Sequence, residues 1–172
     1  MRQFEQTANL PRISASTHTM LTALLNFVCA KTVWEYGESW IPDEALRTLE
    51  LSPAWCSSNQ MEVHRAIAWS QFQLCSQAFV LHQNEGLPGR VWASQTPEWM
   101  TDASAYPETY FLRHQIAQAF GVKAGFGVPI LIDSQVLAVV VFFMSEARPE
   151  DPDLMQRTQD AIAEFRQSSP YE

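Results

Sequence analysis

The first half of the chain shows one helical stripe followed by a strand-like alternation. Residues 20–28 place apolar side chains three or four positions apart, which predicts a helix beginning near His18. Residues 32–41 and 46–51 alternate large apolar with polar side chains and predict a β-hairpin, which Pro53 ends. The chain therefore opens with a helix and two paired strands.

The middle of the chain predicts two helices separated by a loop. Residues 61–80 lack glycine and proline, and Val63, Ile67, Phe72 and Cys75 keep roughly helical spacing. Residues 86–92 predict a loop that leads into a short helical turn, because two glycines flank a proline there. A brief strand is expected over 98–101, and a helix over 109–120 that Gly121 ends.

The last third of the chain predicts two strands and a helix. Residues 122–132 and 136–144 are separated by a two-residue turn, and the second is apolar on both faces. A strand of that kind lies at the centre of a sheet covered on both sides. With a final helix over 154–165, the order predicts an α+β fold in which helices flank a twisted antiparallel sheet.

Composition and charge narrow the class of protein. A chain of 172 residues that is 47% hydrophobic can bury one real core. The net charge of −8 and the presence of only two lysines, Lys31 and Lys123, argue against nucleic-acid and anionic-membrane partners. The sequence shows no apolar run of membrane-spanning length and no signal peptide, so we expect a cytoplasmic protein that does not cross a membrane.

The cysteines and histidines do not predict a metal site. Cys29, Cys56 and Cys75 are odd in number, widely spaced and free of any Cys-x-x-Cys pattern. We expect reduced thiols.

Several short motifs occur in an order typical of one family. The sequence resembles a GAF domain of the type found in bacterial, especially cyanobacterial, multidomain sensor histidine kinases, over residues 16–165. The segments that carry the resemblance are GLPGRVW at 86–92, PEW at 97–99 with Asp102, GVKA at 121–124, GVPI at 127–130, VLAV at 136–139, WEYGESW at 34–40 and LSPAW at 51–55.

The resemblance implies a sensory or regulatory module of a two-component signalling protein, without catalysis of its own. Such a domain has a sheet of five or six strands with its first and last helices on one face, and it binds a small ligand or mediates dimerisation. The implied organisation is an N-terminal arm at 1–15, a GAF domain at 16–166 and a polar tail at 167–172.

A ligand pocket is the first candidate site. Large aromatic side chains form rigid walls that suit a planar ligand, and an acidic and a basic side chain could anchor its polar groups. The alternative is that the aromatics fill an ordinary core, Asp102 caps the segment after it and Arg113 pairs with a surface carboxylate; Glu35 and Glu38 are interpreted as solvated. The candidate pocket residues are Trp34, Tyr36, Trp40, Trp92, Trp99, Asp102, Phe111, Arg113 and Phe126.

A tetrapyrrole photosensor is one alternative function. In bilin-binding GAF domains a Cys-His pair lies near the position of His114, and the cysteine forms the thioether to the bilin. Here Arg113 precedes His114, so a covalent bilin is not expected, and the photosensor alternative requires atypical or non-covalent attachment.

An enzyme that reduces free methionine sulfoxide is the second alternative. That branch of the family uses cysteine thiolates and needs a resolving cysteine close in space. The sequence shows no clustered-cysteine motif, so buried inert thiols are the preferred interpretation.

A homodimer through the terminal helices is also expected. The first helix carries apolar residues on more than one stripe, whereas a helix that covers only its own sheet needs about 100°. The alternative partner for that surplus is the arm around Phe4 and Leu10. The expected interface residues are Leu21, Leu25, Val28, Leu154, Ile162 and Phe165.

Overall fold

The structure, a computed structural model, describes residues 14–169. In that range the elements are α1 (Ala15–Lys31), β1 (Tyr36–Asp43), β2 (Thr48–Ser57), α2 (Val63–Ser76), β3 (Val80–His82), α3 (Gly86–Ser94), β4 (Glu98–Met100), α4 (His114–Phe120), β5 (Gly125–Ile132), β6 (Gln135–Phe143) and α5 (Pro152–Ser168). The strands form one antiparallel six-stranded sheet in the order β3-β2-β1-β6-β5-β4. The predicted α+β architecture is confirmed.

The first and last helices lie on one face of the sheet, as expected. Their buried residues share one apolar cluster with one face of the strands, while residues of α2, α3 and α4 share a second cluster with the other face. Lys31 Nζ lies 2.7 Å from Glu164 Oε1, and the rings of Phe27 and Phe165 are 5.6 Å apart. These contacts hold α1 against α5.

The residues predicted for a dimer interface are mostly inside the molecule. The surplus apolar surface of α1 packs on β2 and α5 of the same chain, because the helix lies against both. Five of the six residues are buried: Leu21, Leu25, Val28, Leu154 and Ile162. Phe165 is half-buried. The extra apolar surface of α1 therefore does not require a second copy of the chain, and the residues predicted for the interface were wrong. The alternative partner, the arm around Phe4 and Leu10, lies outside the described residues.

The predicted termini are described only in part. Residues 1–13 of the arm and 170–172 of the tail lie outside the described range. Within the described range, α1 begins at Ala15, the last residue of the predicted arm, and α5 continues to Ser168, inside the predicted tail.

The central position of β6 is confirmed. It pairs with β1 on one side and β5 on the other. Val140 and Phe142 belong to the cluster under α1 and α5, whereas Val139, Val141 and Phe143 belong to the opposite cluster. Every side chain from 138 to 143 is apolar and buried, which shows that both faces of β6 are covered.

Pro53 does not end the second strand. The register between β1 and β2 shifts between Glu38 and Trp40, which places Pro53 in a bulge. There Ser39 Oγ donates to the Ala54 carbonyl at 3.0 Å, and the Ala54 peptide N–H donates to Ser52 Oγ at 3.0 Å. A bulge tolerates proline because its residues do not need the ladder hydrogen bond.

The four residues whose spacing predicted α2 do not share one buried face. Val63 is 76% exposed and Ile67 is 52% exposed, while Trp69 and Phe72 are buried. The helix stops at Ser76, and 80–82 form the edge strand β3, where helix was predicted. Only the packing of α2 on the sheet selects its buried face.

Two further predicted segments change length. Residues 86–94 form a full helix, α3, in place of a loop with a short turn. Residues 109–113 are irregular and α4 begins at His114. The predicted end of α4 is confirmed, since Gly121 takes the left-handed conformation with φ of +68°.

Candidate functional site

A buried carboxylate on β1 is the centre of the candidate site. Glu38 is completely buried, and its side chain lies on the face of the sheet that α2, α3 and α4 cover. Tyr36 OH donates to Glu38 Oε2 at 2.9 Å, and Trp40 Nε1 donates to Glu38 Oε1 at 2.8 Å. The three residues share this face because strand side chains alternate with a period of two.

Arg113 completes the set of donors around Glu38. Its Nη2 donates to Glu38 Oε1 at 2.6 Å, and its Nη1 donates to Glu38 Oε2 at 3.0 Å. Nη1 also donates to Ser76 Oγ of α2 at 3.0 Å. This two-point contact is the geometry in which guanidinium binds carboxylate most strongly. We call Glu38, Arg113, Tyr36, Trp40 and Ser76 the Glu38–Arg113 cluster.

Aromatic rings surround the guanidinium. Their negatively polarised faces attract a cation that has been removed from water. The distances from Arg113 Cζ to the ring centroids are 5.0 Å for Trp40, 5.0 Å for Phe72, 5.3 Å for Phe111 and 5.7 Å for Phe143.

Burial also affects the tyrosine of the cluster. Removal of the phenol from water, together with the negative charge of Glu38, raises the pKa of Tyr36 well above its ordinary value. Tyr36 therefore stays protonated and acts as a donor to Glu38. The Tyr36 hydroxyl therefore donates its hydrogen bond to Glu38 throughout the range of pH near neutrality.

An irregular segment brings Arg113 to the sheet. Residues 101–113, between β4 and α4, form turns and no regular element, and they bury Ala103 and Phe111. Asp102 stabilises the first turn, since Ser104 N and Ser104 Oγ donate to Asp102 Oδ1 at 3.0 and 2.6 Å. Asp102 thus caps the segment after it and does not contact Arg113 within any hydrogen bond of the described residues.

The predicted pocket residues fall into two groups. Tyr36, Trp40, Trp92 and Phe111 belong to the apolar cluster on the face of the sheet that α2, α3 and α4 cover. The other three aromatics, Trp34, Trp99 and Phe126, lie on the opposite face under α1 and α5. Trp34 packs there against Trp99 at 5.6 Å and Phe126 at 6.5 Å between ring centroids. The sheet separates the two groups.

The expected surroundings of Arg113 and of Glu38 were wrong. Arg113 pairs with a buried carboxylate and not with a surface one, and Glu38 is not solvated. The burial of Glu38 could have been predicted from its position two residues from Tyr36 and two from Trp40. Alternate residues of a strand point to the same face, so a residue between two buried aromatics on that face is buried with them. Glu35 is half-buried and accepts from Trp69 Nε1 at 3.1 Å and Ser145 Oγ at 2.8 Å.

The structure brings two of the three cysteines together. Cys29 of α1 and Cys56 of β2 are both buried, with their Sγ atoms 3.3 Å apart. Cys75 lies on α2, half-buried. The sequence predicted the burial of Cys29 and Cys56 but not their proximity, because 27 positions separate them.

Other kinds of site find little support in the described part of the chain. No group of three or more histidine, cysteine or acidic side chains between residues 14 and 169 could hold a metal ion. No helix in the same range has the length and apolar character needed to cross a bilayer. A surface groove of about 470 Å³ lies along α2 and shares no lining residue with the Glu38–Arg113 cluster.

The comparisons with known proteins support the architecture. No protein-family model and no curated protein matches the sequence. The GAF domain of a phosphoenolpyruvate-protein phosphotransferase from Acinetobacter matches with a TM-score of 0.60 at 18% identity, over 89% of this chain and 81% of that chain. The chain has the GAF fold. In this GAF fold the Glu38–Arg113 cluster lies between the sheet and α2.

Two further GAF-like matches come from proteins with different activities. A domain of a protein described as a two-component sensor histidine kinase from Sinorhizobium meliloti matches with a TM-score of 0.56 at 13% identity, over 90% of this chain and 89% of that chain. Free methionine-R-sulfoxide reductase from Neisseria meningitidis matches with a TM-score of 0.52 at 14% identity, over 90% and 86%. One fold thus serves signalling proteins and an enzyme, and function must be argued from the site.

Proposed function

We propose that this chain is a non-catalytic sensory GAF domain of a cytoplasmic two-component signalling protein. The observation that carries the proposal is the fully buried Glu38–Arg113 pair beneath the helices. A buried ion pair is often no more stabilising than apolar residues of the same volume, so its presence favours a role in recognition. The likeness to a domain of a sensor kinase supports the same class of function.

The cluster suits a small ligand that carries an anionic group. Arg113, Tyr36 and Trp40 direct polar hydrogens to one place, where the carboxylate of Glu38 accepts them. An external carboxylate or oxyanion would meet the same donors on displacing the Glu38 side chain. The surrounding rings would pack against the apolar part of that ligand.

A path from the cluster to the terminal helices supports a signalling role. Glu38 lies on one face of β1, while Gly37 of the same strand lies against Leu25 of α1 on the other face. Before β1, Trp34 Nε1 donates to Thr158 Oγ1 of α5 at 2.8 Å. A displacement of β1 by a ligand would therefore alter the packing of both terminal helices.

Native mass spectrometry of the protein purified from its own organism tests the ligand. A bound small molecule that is present in the wild type and lost in Arg113→Met supports the proposal. The matched control is Glu164→Gln, which changes a charge in the exposed Lys31–Glu164 pair and is expected to keep the ligand. Ligand retention in folded Arg113→Met contradicts the proposed site.

The proposal includes a homodimer that uses the outer surfaces of α1 and α5. The outward face of α1 is uncharged at Thr19, Asn26 and Ala30, which are exposed. We expect wild-type protein to be dimeric by light scattering and Asn26→Arg to be a folded monomer. Leu46→Arg, in the exposed turn after β1, is the control that stays dimeric. Monomeric wild-type protein at high micromolar concentration contradicts this interface.

The cysteine pair favours one second candidate function, reduction of free methionine sulfoxide. Two thiols 3.3 Å apart meet the need for an attacking and a resolving cysteine, and an enzyme of this activity has a similar fold. The pair, however, lies under α1, on the face of the sheet opposite Arg113. Turnover of free methionine-R-sulfoxide that Cys56→Ala abolishes and Cys75→Ala retains would support the enzyme over the sensor.

A further inference from the structure

Cys29 and Cys56 are placed for a covalent bond between a terminal helix and the sheet. Their Sγ atoms are 3.3 Å apart, and a disulfide requires about 2.05 Å. Closing the gap needs a movement of about 1.3 Å, which rotation about the side-chain bonds can contribute to. Gly37 leaves Cys56 Sγ uncrowded on the side of β1, since a Cβ at that position would lie 3.2 Å from it.

The pair lies at one of two polar attachments between α1 and β2. Near the start of the helix, His18 Nδ1 and Ser52 Oγ are 2.9 Å apart, and near its end Cys29 meets Cys56. Eleven helical residues span about 16 Å, and four strand residues span about 13 Å. The helix therefore runs along the strand, and a bond at Cys29 would attach its second end to the sheet.

We propose that Cys29 and Cys56 are a modification site that hydrogen peroxide converts reversibly to an intramolecular disulfide. One sulfur attacks the peroxide, the O–O bond breaks, and a sulfenic acid and one water result. The second sulfur attacks the sulfenic sulfur, the S–S bond forms, and a second water leaves. The two sulfurs lose two electrons in total, which reduce one peroxide to two waters; a dithiol reverses the step.

The burial of the pair selects the class of oxidant. Cys29 is 8% exposed and Cys56 is 5% exposed, so a small uncharged peroxide reaches them more easily than a bulky disulfide does. The hydrogen bond with Cys56, and then burial, raise the pKa of Cys29 far above its ordinary value. Cys29 therefore stays protonated near neutral pH, which slows its own attack on peroxide.

The proposal does not depend on a ligand or on the sensory role. The oxidised form differs from the reduced form by one cross-link that closes a loop of about 28 residues. From the loop-closure entropy of such a cross-link we expect a melting temperature higher by roughly 10 °C. A sensory domain would gain a terminal helix whose attachment depends on the oxidation state.

The experiment treats the full chain with excess hydrogen peroxide, removes the oxidant, and alkylates the denatured protein with N-ethylmaleimide. We expect two of the three thiols to be lost, the intact mass to fall by two hydrogens, and peptide mapping to join Cys29 to Cys56. Dithiothreitol should restore all three thiols and the original melting temperature.

Two matched variants keep the test decisive. Cys75→Ala should form the cross-link as wild type does, because Cys75 lies on α2, away from the pair. Cys29→Ala should lose it, and its Cys56 should proceed to the sulfinic acid. Wild-type protein that keeps three free thiols, that carries sulfinic acid on Cys56 without a cross-link, or that pairs through Cys75 overturns the proposal.

Discussion

Removal of the negative charge at Glu38 should destabilise the domain severely. In Glu38→Gln one carboxylate oxygen, which accepts two of the four hydrogen bonds made to Glu38, is replaced by an amide NH₂ that faces other donors. The charge of Arg113 is then buried without a counter-charge. Breaking a buried pair in this way costs about 3–5 kcal/mol in the free energy of unfolding.

Urea denaturation followed by circular dichroism measures this cost. With a slope of about 2 kcal/mol/M, the midpoint should fall by roughly 2 M while the slope stays the same. Glu164→Gln is the control, because its partner Lys31 is exposed and such surface pairs contribute about 0–1 kcal/mol. A loss below about 1 kcal/mol in Glu38→Gln would refute the argument.

A double-mutant cycle separates the pair from its surroundings. Arg113→Met alone leaves the Glu38 carboxylate buried without its counter-charge and should cost as much as Glu38→Gln. Combined with Glu38→Leu, it replaces both charges by apolar side chains and should cost at least about 2 kcal/mol less than the sum of Arg113→Met and Glu38→Leu. Additive losses would show that the two side chains are not coupled.

Three other predictions concern separate parts of the fold. Val140→Asp should unfold the domain, because an unpaired carboxylate would enter a fully buried strand; an unchanged melting temperature would contradict the central position of β6. Gly89→Ala should lower the melting temperature, since its Cβ would press on the His82 carbonyl oxygen, and an unaltered temperature would contradict that contact. Burial, with the charge of Glu38, raises the pKa of Tyr36 in the folded protein, so on raising the pH Tyr36 ionises in the unfolded chain before it does in the folded one. The contribution of the protonated phenol to the free energy of unfolding is therefore intact below about pH 10 and is lost above it. Tyr36→Phe should therefore show a shallower loss of stability than wild type in urea melts at alkaline pH, and parallel curves would contradict this.

Local chemistry along the chain was sufficient for most of the elements, but it missed the edge strand β3 and the full length of α3. The apolar run at 136–143 indicated a strand covered on both sides. Alternate residues of a strand point to opposite faces, so an unbroken apolar run makes both faces apolar. Gly121 marked the end of α4, because its left-handed conformation is local to the backbone. Both features depend on neighbours in sequence, which is why periodicity and turn chemistry predicted them.

The site was accessible from the sequence only in part. The expected candidates Tyr36, Trp40 and Phe111 lie in the apolar cluster on one face of the sheet, and the guanidinium of the fourth, Arg113, lies against two of their rings. Their partner Glu38 was interpreted as solvated, because alternation tells which residues share a face but not what covers it. Glu38 is covered by α2 and by the segment before α4. These are distant in sequence, and Arg113 lies 75 positions from Glu38.

Tertiary packing alone decided which surfaces meet. It buried Leu21 and Leu25 against the chain's own sheet, left Val63 exposed on α2, and brought Cys29 to Cys56. A helical stripe records that a face is apolar, whereas its partner depends on the crossing of elements that are distant in sequence. Local patterns in the sequence therefore predicted most of the elements, while the contacts that make the Glu38–Arg113 cluster and the cysteine pair exist only once the helices cover the sheet.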